Sequence, residues 1–363
     1  MEAGDIRIKQ AIVHILDSTL AMPVLSDTVL DYGSDLADFL KGHICRIFMS
    51  DDVKKCTFQE EESEIYQMLK DYKNDFSSDE EDNQVVSPEE QKEGQERFIT
   101  LSKQIAEHLF VIMNQNIAIP QADLFILSIS AYEEEFLVLL KMNYSSSYTH
   151  KTSSDPWGNT NEIIQQRAVL PGEKQRLSEA AIISMNPENE LADIRILEKK
   201  YEINGVKTNY FSELFLKCYA ALSSKSRLAI VTRAVEQVQD KYYDESNQFE
   251  VRMETKSILN AQFEEEGSLQ VQDLADKVFK ENEEMKQEFR EKMEKYHLQE
   301  SEVHPKNQTT TKKFEQQYLT TDTGIEIKIP MEQYNNGNAI EFITNEDGTI
   351  SVLIKNIGYI KSK

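Results

Sequence analysis

Two short segments of the chain carry residue types that could do chemistry or bind a charged ligand. The first is Glu198, Lys199 and Lys200, which follow an apolar run that predicts a strand. Glu-x-Lys is the spacing that metal-dependent nucleases use, and such a site needs a second carboxylate to hold Mg²⁺ and activate a water. Asp193 and Glu179 are the nearby candidates. Because a Glu-x-Lys triplet also arises by chance in a highly charged chain, a nuclease is an alternative to a non-catalytic protein.

The second segment is a basic stretch in an otherwise acidic chain. Residues 205–233 contain five cations and one carboxylate, which gives a local charge of +4. The cations are Lys207, Lys217, Lys225, Arg227 and Arg233. Lys225 and Arg227 lie at a predicted helix start, where cations oppose the helix dipole unless a phosphate binds the free backbone N–H groups. We predict that the five residues bind DNA phosphates; the alternative is that they are ordinary solvated side chains.

Motifs for nucleotide-dependent and hydrolytic chemistry are missing from the sequence. It contains no Walker loop, no Gly-x-Ser-x-Gly elbow, no His-Glu-x-x-His and no Gly-x-Gly-x-x-Gly. The three cysteines and six histidines are scattered without the spacing of metal ligands. We therefore predict no catalytic residue, no metal and no cofactor. The few cysteines also fit a reducing cytoplasm better than a disulfide framework.

The formal net charge of −24 is concentrated in two stretches. Residues 51–100 hold sixteen acidic side chains against six basic ones, and residues 246–303 hold fifteen against eight. A field of this sign repels nucleic acid and anionic membranes at long range, so DNA contact has to be local and salt-sensitive. The charge also favours a protein partner, because acidic surfaces can dock on basic patches of DNA-processing enzymes or imitate a phosphate array. The remaining interpretation is that the acidity confers solubility.

The hydrophobic pattern of the first half predicts a helix-flanked, largely antiparallel sheet. Strands are predicted at 6–16 (bulged near Lys9 and Gln10), 122–129 and 135–142 (a hairpin central to the sheet), 163–170, 180–185 and 193–199. Helices are predicted at 27–48, 62–72 and 88–116. The acidic segment near 74–94 is predicted to be a loop or disordered insertion, and 145–161 a polar loop.

The second half of the chain predicts a helical region followed by a small sheet. Helices are predicted from 209 to 219, 225–242 (capped by Ser223 and Ser224), 249–264, 271–281 and 283–296, and strands at 325–329, 339–344 and 349–354. The predicted fold class is α+β, with an α+β domain at 1–204, a helical region at 205–303 and a small β region at 304–363 packed with the helices. No apolar run is long enough to cross a membrane and the start lacks a signal peptide, so we expect a soluble, non-secreted chain.

Several local strings together resemble a known family. They are Ile-Val-His-Ile-Leu-Asp at 12–17, Ala-Asp-Leu-Phe-Ile-Leu at 122–127, Ala-Asp-Ile-Arg-Ile-Leu-Glu-Lys-Lys at 192–200, Asn-Tyr-Phe at 209–211, Phe-Leu-Lys-Cys at 215–218 and Ser-Lys-Ser-Arg at 224–227. In this order, over nearly the whole chain, the set resembles the bacterial nucleoid-associated (NdpA-like) protein family. The acidic segment near 74–94 departs from the family pattern.

The resemblance implies a cytoplasmic bacterial protein found with the nucleoid and without established catalytic chemistry. We therefore predict a non-catalytic binding protein that contacts DNA through the basic segment, or DNA-bound proteins through its acidic surfaces. An acidic regulator or DNA mimic acting on a DNA-processing enzyme is the alternative, and a homodimer is left open.

Overall fold

The chain divides into two compact units, Met1–Leu222 and Ser223–Lys363. The computed structural model describes residues 2–77, 88–185, 193–335, 339–346 and 348–361. The predicted α+β class is confirmed, since a large antiparallel sheet with helices precedes a helical segment and small C-terminal sheets. The predicted three-part division of the chain stays a prediction.

The first unit combines a central sheet with helices before and between its strands. Its strands are β1 (Ile6–Leu16), β2 (Lys54–Phe58), β3 (Ala122–Ala131), β4 (Glu134–Asn143), β5 (Ser145–Asp155), β6 (Gly158–Val169), β7 (Glu179–Ser184), β8 (Ile194–Leu197), β9 (Tyr201–Ile203), β10 (Val206–Thr208) and β11 (Cys218–Ala220). Its helices are α1 (Ser34–Phe48), α2 (Glu64–Ser77) and α3 (Pro88–Gln115), with a 3₁₀ turn at Ala3–Asp5 and a π-helical segment at Phe211–Leu216.

Seven of these strands form one sheet in the order β1, β3, β4, β7, β8, β2, β11, and every neighbouring pair is antiparallel. The predicted hairpin of β3 and β4 is confirmed inside the sheet, where apolar side chains are buried on both faces. The predicted irregularity of β1 is also confirmed, because its register with β3 shifts between Ile8 and Gln10.

Helices cover both faces of this sheet. Side chains of α1, including Leu40 and Ile44, join the core on one face. Helices α2 and α3 and the π-helical segment cover the other face, where Ile105 and Leu109 of α3 are fully buried. Burial of each such side chain stabilises the fold by about 1.5–3 kcal/mol. The result is a three-layer arrangement with two apolar cores.

The prediction of a polar loop over 145–161 is wrong. Strands β5 and β6 pair along their length, and the chain turns between Asp155 and Gly158, where the glycine takes a φ of +140°. Side chains of β5 and β6 are exposed on both faces of this hairpin. A strand with two solvated faces has no apolar alternation, so the period-two signal that marks a half-buried strand is missing.

Three predicted boundaries in the first unit also need correction. The helix predicted over 27–48 begins only at Ser34, and the helix predicted from 209 to 219 is a six-residue π-helical segment that ends before strand β11. The predicted insertion at 74–94 is helical at both ends, because α2 runs to Ser77 and α3 begins at Pro88. Residues 78–87 lie outside the described part of the chain.

The second unit contains a helical core and short hairpins. Its helices are α4 (Ser224–Tyr242), α5 (Glu245–Glu266), α6 (Val271–Phe279), α7 (Glu283–Lys295), α8 (Gln308–Glu315) and α9 (Met331–Asn335). Its strands are β12 (Leu269–Gln270), β13 (Glu302–Val303), β14 (Gln316–Thr320), β15 (Glu326–Pro330), β16 (Ile340–Thr344) and β17 (Ile350–Ile354). The four predicted helices and three predicted strands after residue 224 are confirmed, whereas α8, α9, β12, β13 and β14 were not predicted. Among the described residues, no helix has the length and apolarity that a membrane span requires.

His14 ties β1 to two other parts of the first unit while fully buried. Its Nδ1 accepts the backbone N–H of Ser26 at 3.1 Å, and its Nε2 lies 3.0 Å from the hydroxyl of Ser102. That hydroxyl donates to the carbonyl of Ile99, so its oxygen accepts a proton from Nε2. These bonds require a neutral ring. Burial, with help from the nearby Lys103 charge, lowers the pKa of His14 to about 4.

The stability of the first unit should therefore fall between pH 6.5 and pH 4. In this window His14 is protonated in the unfolded chain and neutral in the native chain. The free energy of unfolding therefore decreases by about 3 kcal/mol as the pH falls. We expect His14→Gln to remove that share of the pH dependence in urea unfolding. The matched change at the exposed His150 controls for the replacement of a histidine elsewhere in the same unit. Identical pH profiles for the wild type and His14→Gln would contradict this assignment.

Candidate nucleic-acid interface

Helix α4 carries three of the five predicted phosphate-binding residues. Lys225 and Arg233 are exposed, and Arg227 is half-buried. With 3.6 residues per turn, Lys225 and Arg233 lie roughly 80° apart around the helix axis, on its solvent side. Arg227 lies roughly 160° from Lys225, at the border of the apolar face formed by Leu228 and Val231. The helix thus places Lys225 and Arg233 on one side and Arg227 on another.

The start of α4 is capped as predicted. Ser223 is the N-cap residue, and its hydroxyl oxygen accepts the backbone N–H of Ser226 at 3.2 Å. The Ser226 amide is therefore already satisfied and is not available to a phosphate. The first twelve residues of α4, 224–235, contain three cations and no carboxylate. This half of the helix carries a local sequence charge of +3 in a chain of charge −24.

The other two predicted residues, Lys207 and Lys217, belong to the first unit. Lys207 is exposed on β10, directly opposite Glu202 of β9. Lys217 follows the π-helical segment with a left-handed φ of +50°, and its carbonyl accepts the backbone N–H of Gln59 at 2.9 Å. Both lysines sit on short segments whose positions depend on the buried residues beneath them.

Glu198 is one of those buried residues, and it holds the start of the π-helical segment. Its side chain is fully buried just after β8, where it accepts the backbone N–H of Ser212 at 3.0 Å and the hydroxyl of Ser212 at 2.9 Å. Lys54 of β2 forms an ion pair with it at 2.7 Å. A carboxylate with donors on both oxygens is a strong anchor, because hydrogen bonds to charged groups are the stronger ones. Glu198 thereby supports the segment that leads to Lys217.

A buried polar cluster lies on the same face of the sheet. Its members are Lys141, Asn143, Glu179, Tyr201 and Tyr210. Lys141 and Glu179 are directly opposite each other on β4 and β7, and both side chains are fully buried. Their charged groups are 3.7 Å apart, and Asn143 joins them by accepting from the ammonium and donating to the carboxylate at 2.9 Å. The ammonium also donates to the carbonyl of Pro120 at 2.9 Å.

The cluster extends to the hairpin that carries Lys207. The rings of Tyr201 on β9 and Tyr210 meet edge to face, with their centroids 5.5 Å apart. Burial raises the pKa of both tyrosines above the ordinary value, and the Glu179 charge adds to the rise, so both stay neutral. Burial lowers the pKa of Lys141 to about 8, and the attraction of Glu179 opposes that fall. The cluster is therefore a structural support beneath the β9–β10 hairpin.

The residues of the nuclease alternative are engaged in these contacts. Glu198 binds Lys54 and Ser212, and Glu179 faces Lys141. The third candidate, Asp193, forms an ion pair with Arg195 at 3.0 Å. In the part of the chain that the structure describes, no three His, Cys, Asp or Glu side chains converge as a metal site would require. The geometry thus gives these carboxylates roles in the fold.

Comparison with known proteins places the chain in a family. A family model described as nucleoid-associated protein YejK matches residues 12–361. The chain belongs to the nucleoid-associated protein YejK family. No curated protein matches the chain. The match covers both units and confirms the resemblance seen in the sequence, and membership in the YejK family supports a bacterial, nucleoid-associated role.

Proposed function

We propose that the chain is a non-catalytic nucleoid-associated protein that contacts DNA directly through its basic residues. The observation that carries the proposal is the sequence of the first half of α4, residues 224–235, in which Lys225, Arg227 and Arg233 are the charged residues. Lys207 and Lys217 of the first unit are the further contacts. Membership in the YejK family supports the cellular location.

The physical basis is that DNA affinity comes mainly from cations that neutralise phosphates and release counterions. Charges farther apart than about 8 Å are largely screened at physiological salt, so distant carboxylates weaken such contacts only partly. Lys225 and Arg233, on the solvent side of α4, are the strongest candidates because both can reach a phosphate without leaving the helix surface. The expected mode is binding without base readout, since phosphate contacts carry no direct sequence information.

Charge reversal on α4 tests direct contact. In a gel-shift titration with duplex DNA at low salt, we expect the variant carrying Lys225→Glu and Arg233→Glu to bind at least about tenfold more weakly than the wild type. The matched control carries Lys328→Glu and Lys361→Glu, two exposed positions of the same unit with the same change in net charge. Equal losses in both variants would show that only net charge matters and would overturn the assignment to α4.

Contact with a DNA-bound protein through acidic surfaces is the second candidate function, and the charge of −24 favours it. Many carboxylates of the second unit already have cationic neighbours: Glu288 binds Lys241 at 2.5 Å, and Arg252 binds Asp240 at 2.6 Å. Such paired carboxylates resemble a solvated helix surface more than an array of free phosphates. If the wild type fails to shift duplex DNA at low salt, the protein-mediated route becomes the better explanation.

A further inference from the structure

Strands β5 and β6 form an arm, residues 145–169, that lies outside the seven-stranded sheet. Eleven residues per strand at about 3.4 Å each give the arm a length of about 35 Å. The strands form a two-stranded sheet of their own, with the turn around Pro156 and Trp157 at its tip. The side chains are exposed from base to tip, with only Thr149 and the last residue of β6 half-buried.

Large apolar side chains are among the exposed residues of the arm. Trp157, the single tryptophan of the chain, is 95% exposed at the tip. Tyr148 and Ile163 are each 72% exposed, and the strand register places them on the same face of the arm. An isolated two-stranded hairpin is only marginally stable in water, and the contact of exposed apolar side chains with water is unfavourable. Both features indicate that another surface covers the arm.

The long edges of the arm are unusually open to strand pairing. Exposed edges in native proteins are commonly protected by charges, prolines or short length. Here each edge runs for eleven or twelve residues, and each strand carries two charges: Lys151 and Asp155 on β5, Glu162 and Arg167 on β6. Pairing of two such edges would form about ten backbone hydrogen bonds, which is the number found in a typical protein interface.

The charge of the arm discriminates between the partners that could cover it. Two cations and two anions give the arm no net charge, whereas interfaces with DNA are strongly positive. For a second copy of the chain, neutrality is an advantage, because two bodies of charge −24 repel each other. An arm about 35 Å long spans several Debye lengths of about 8 Å, so contact along the arms keeps the acidic bodies screened from one another.

We propose that the arm binds the arm of a second copy of this chain and forms a homodimer through an intermolecular β-sheet. Pairing of the free edges satisfies their backbone groups, and the joined faces cover Tyr148 and Ile163. The arm is then a neutral bridge between two acidic chains. The dimer does not depend on the proposed DNA contact, because none of the five proposed phosphate-binding residues lies in the arm.

Sedimentation velocity over a range of concentrations tests the proposal. We expect the full chain to form dimers, and the variant carrying Tyr148→Lys and Ile163→Lys to dimerise at least about tenfold more weakly. The matched control carries Tyr132→Lys and Ile117→Lys, which change the same residue types at exposed positions of the same unit and should dimerise like the wild type. Because the substituted side chains are solvated in the monomer, all three chains should unfold at the same urea concentration when they are compared well below the dimer dissociation range.

Fluorescence of Trp157 gives an independent measurement, since no other tryptophan contributes. On dilution through the dimer dissociation range, emission should shift to the red and quenching by acrylamide should increase. The proposal is overturned if the full chain sediments as a monomer at every concentration, or if the variant with Tyr148→Lys and Ile163→Lys dimerises like the wild type. Trp157 emission that responds to duplex DNA and not to dilution would overturn it in favour of a DNA-binding arm.

Discussion

Replacement of Lys141 by methionine should destabilise the first unit by about 3–5 kcal/mol. The methionine leaves Glu179 in a fully buried site without its cationic partner. A buried carboxylate must then either stay charged without compensation or take up a proton, and both outcomes cost free energy. Glu179→Leu should be similarly harmful, because it leaves the Lys141 ammonium unpaired.

The double variant, Lys141→Met with Glu179→Leu, should lose much less stability than the sum of the single changes. Replacement of both partners removes both buried charges, and well-packed apolar side chains can substitute for a buried ion pair at little cost. Equilibrium unfolding in urea of the wild type, both single variants and the double variant gives the coupling energy directly. A double variant that loses several kcal/mol less stability than the sum of the single changes identifies the pair as a unit of the fold.

The matched control is the exposed ion pair between Lys9 and Glu135, which joins β1 and β4 of the same sheet at 2.8 Å. These side chains are about half exposed, and the same substitutions there should each cost less than about 1 kcal/mol. Losses of similar size at both pairs would show that burial of Lys141 and Glu179 is not what makes them important.

Glu198→Gln should destabilise the first unit by about 2–4 kcal/mol. The substitution removes the charge that binds Lys54 and places an amide against the donors of Ser212, so three charge-assisted bonds are weakened or lost. Faster hydrogen exchange at 211–218 should accompany the loss, because Glu198 holds the start of the π-helical segment.

The direction of the stability change caused by Glu198→Gln distinguishes a structural role of Glu198 from a catalytic one. In a metal-dependent nuclease, removal of one of several clustered carboxylates relieves repulsion, and the metal-free protein often becomes more stable. Here we expect a loss of stability, with Mg²⁺ changing neither the wild type nor the variant. Increased stability of Glu198→Gln, together with Mg²⁺-dependent DNA cleavage by the wild type, would contradict the structural role and support the nuclease.

The sequence predicted the elements in which the order of polar and apolar residues follows the burial of their side chains. The apolar runs of β3 and β4 and the irregularity of β1 near Lys9 were predicted because each side chain's polarity reports the face on which it lies. The part of the arm at 145–161 was predicted as a loop because neither face of the arm is buried, whereas the end of β6 falls within the strand predicted at 163–170. The π-helical segment was predicted too long because its start depends on Glu198 and its end on Gln59, which are distant in the sequence.

The candidate site was predictable to a similar extent. Lys141 stands alone as a charge within the run Leu137–Met142, which indicates a buried cation, but its partner on β7 follows only from strand order. The spacing of Lys225 and Arg233 already places them on one side of a helix. That the basic segment 205–233 crosses from one compact unit to the other is a property of tertiary contacts, which local spacing does not report.

The salt dependence of duplex DNA binding tests the central claim most directly. Each phosphate contact contributes about −0.9 to the slope of log affinity against log salt, so Lys225 and Arg233 together predict a contribution of about −1.8 to the slope of the wild type. The variant carrying Lys225→Glu and Arg233→Glu should show a slope that is shallower by about two contacts. Absence of binding by the wild type at low salt, or an unchanged slope in the variant, would contradict direct DNA contact through α4.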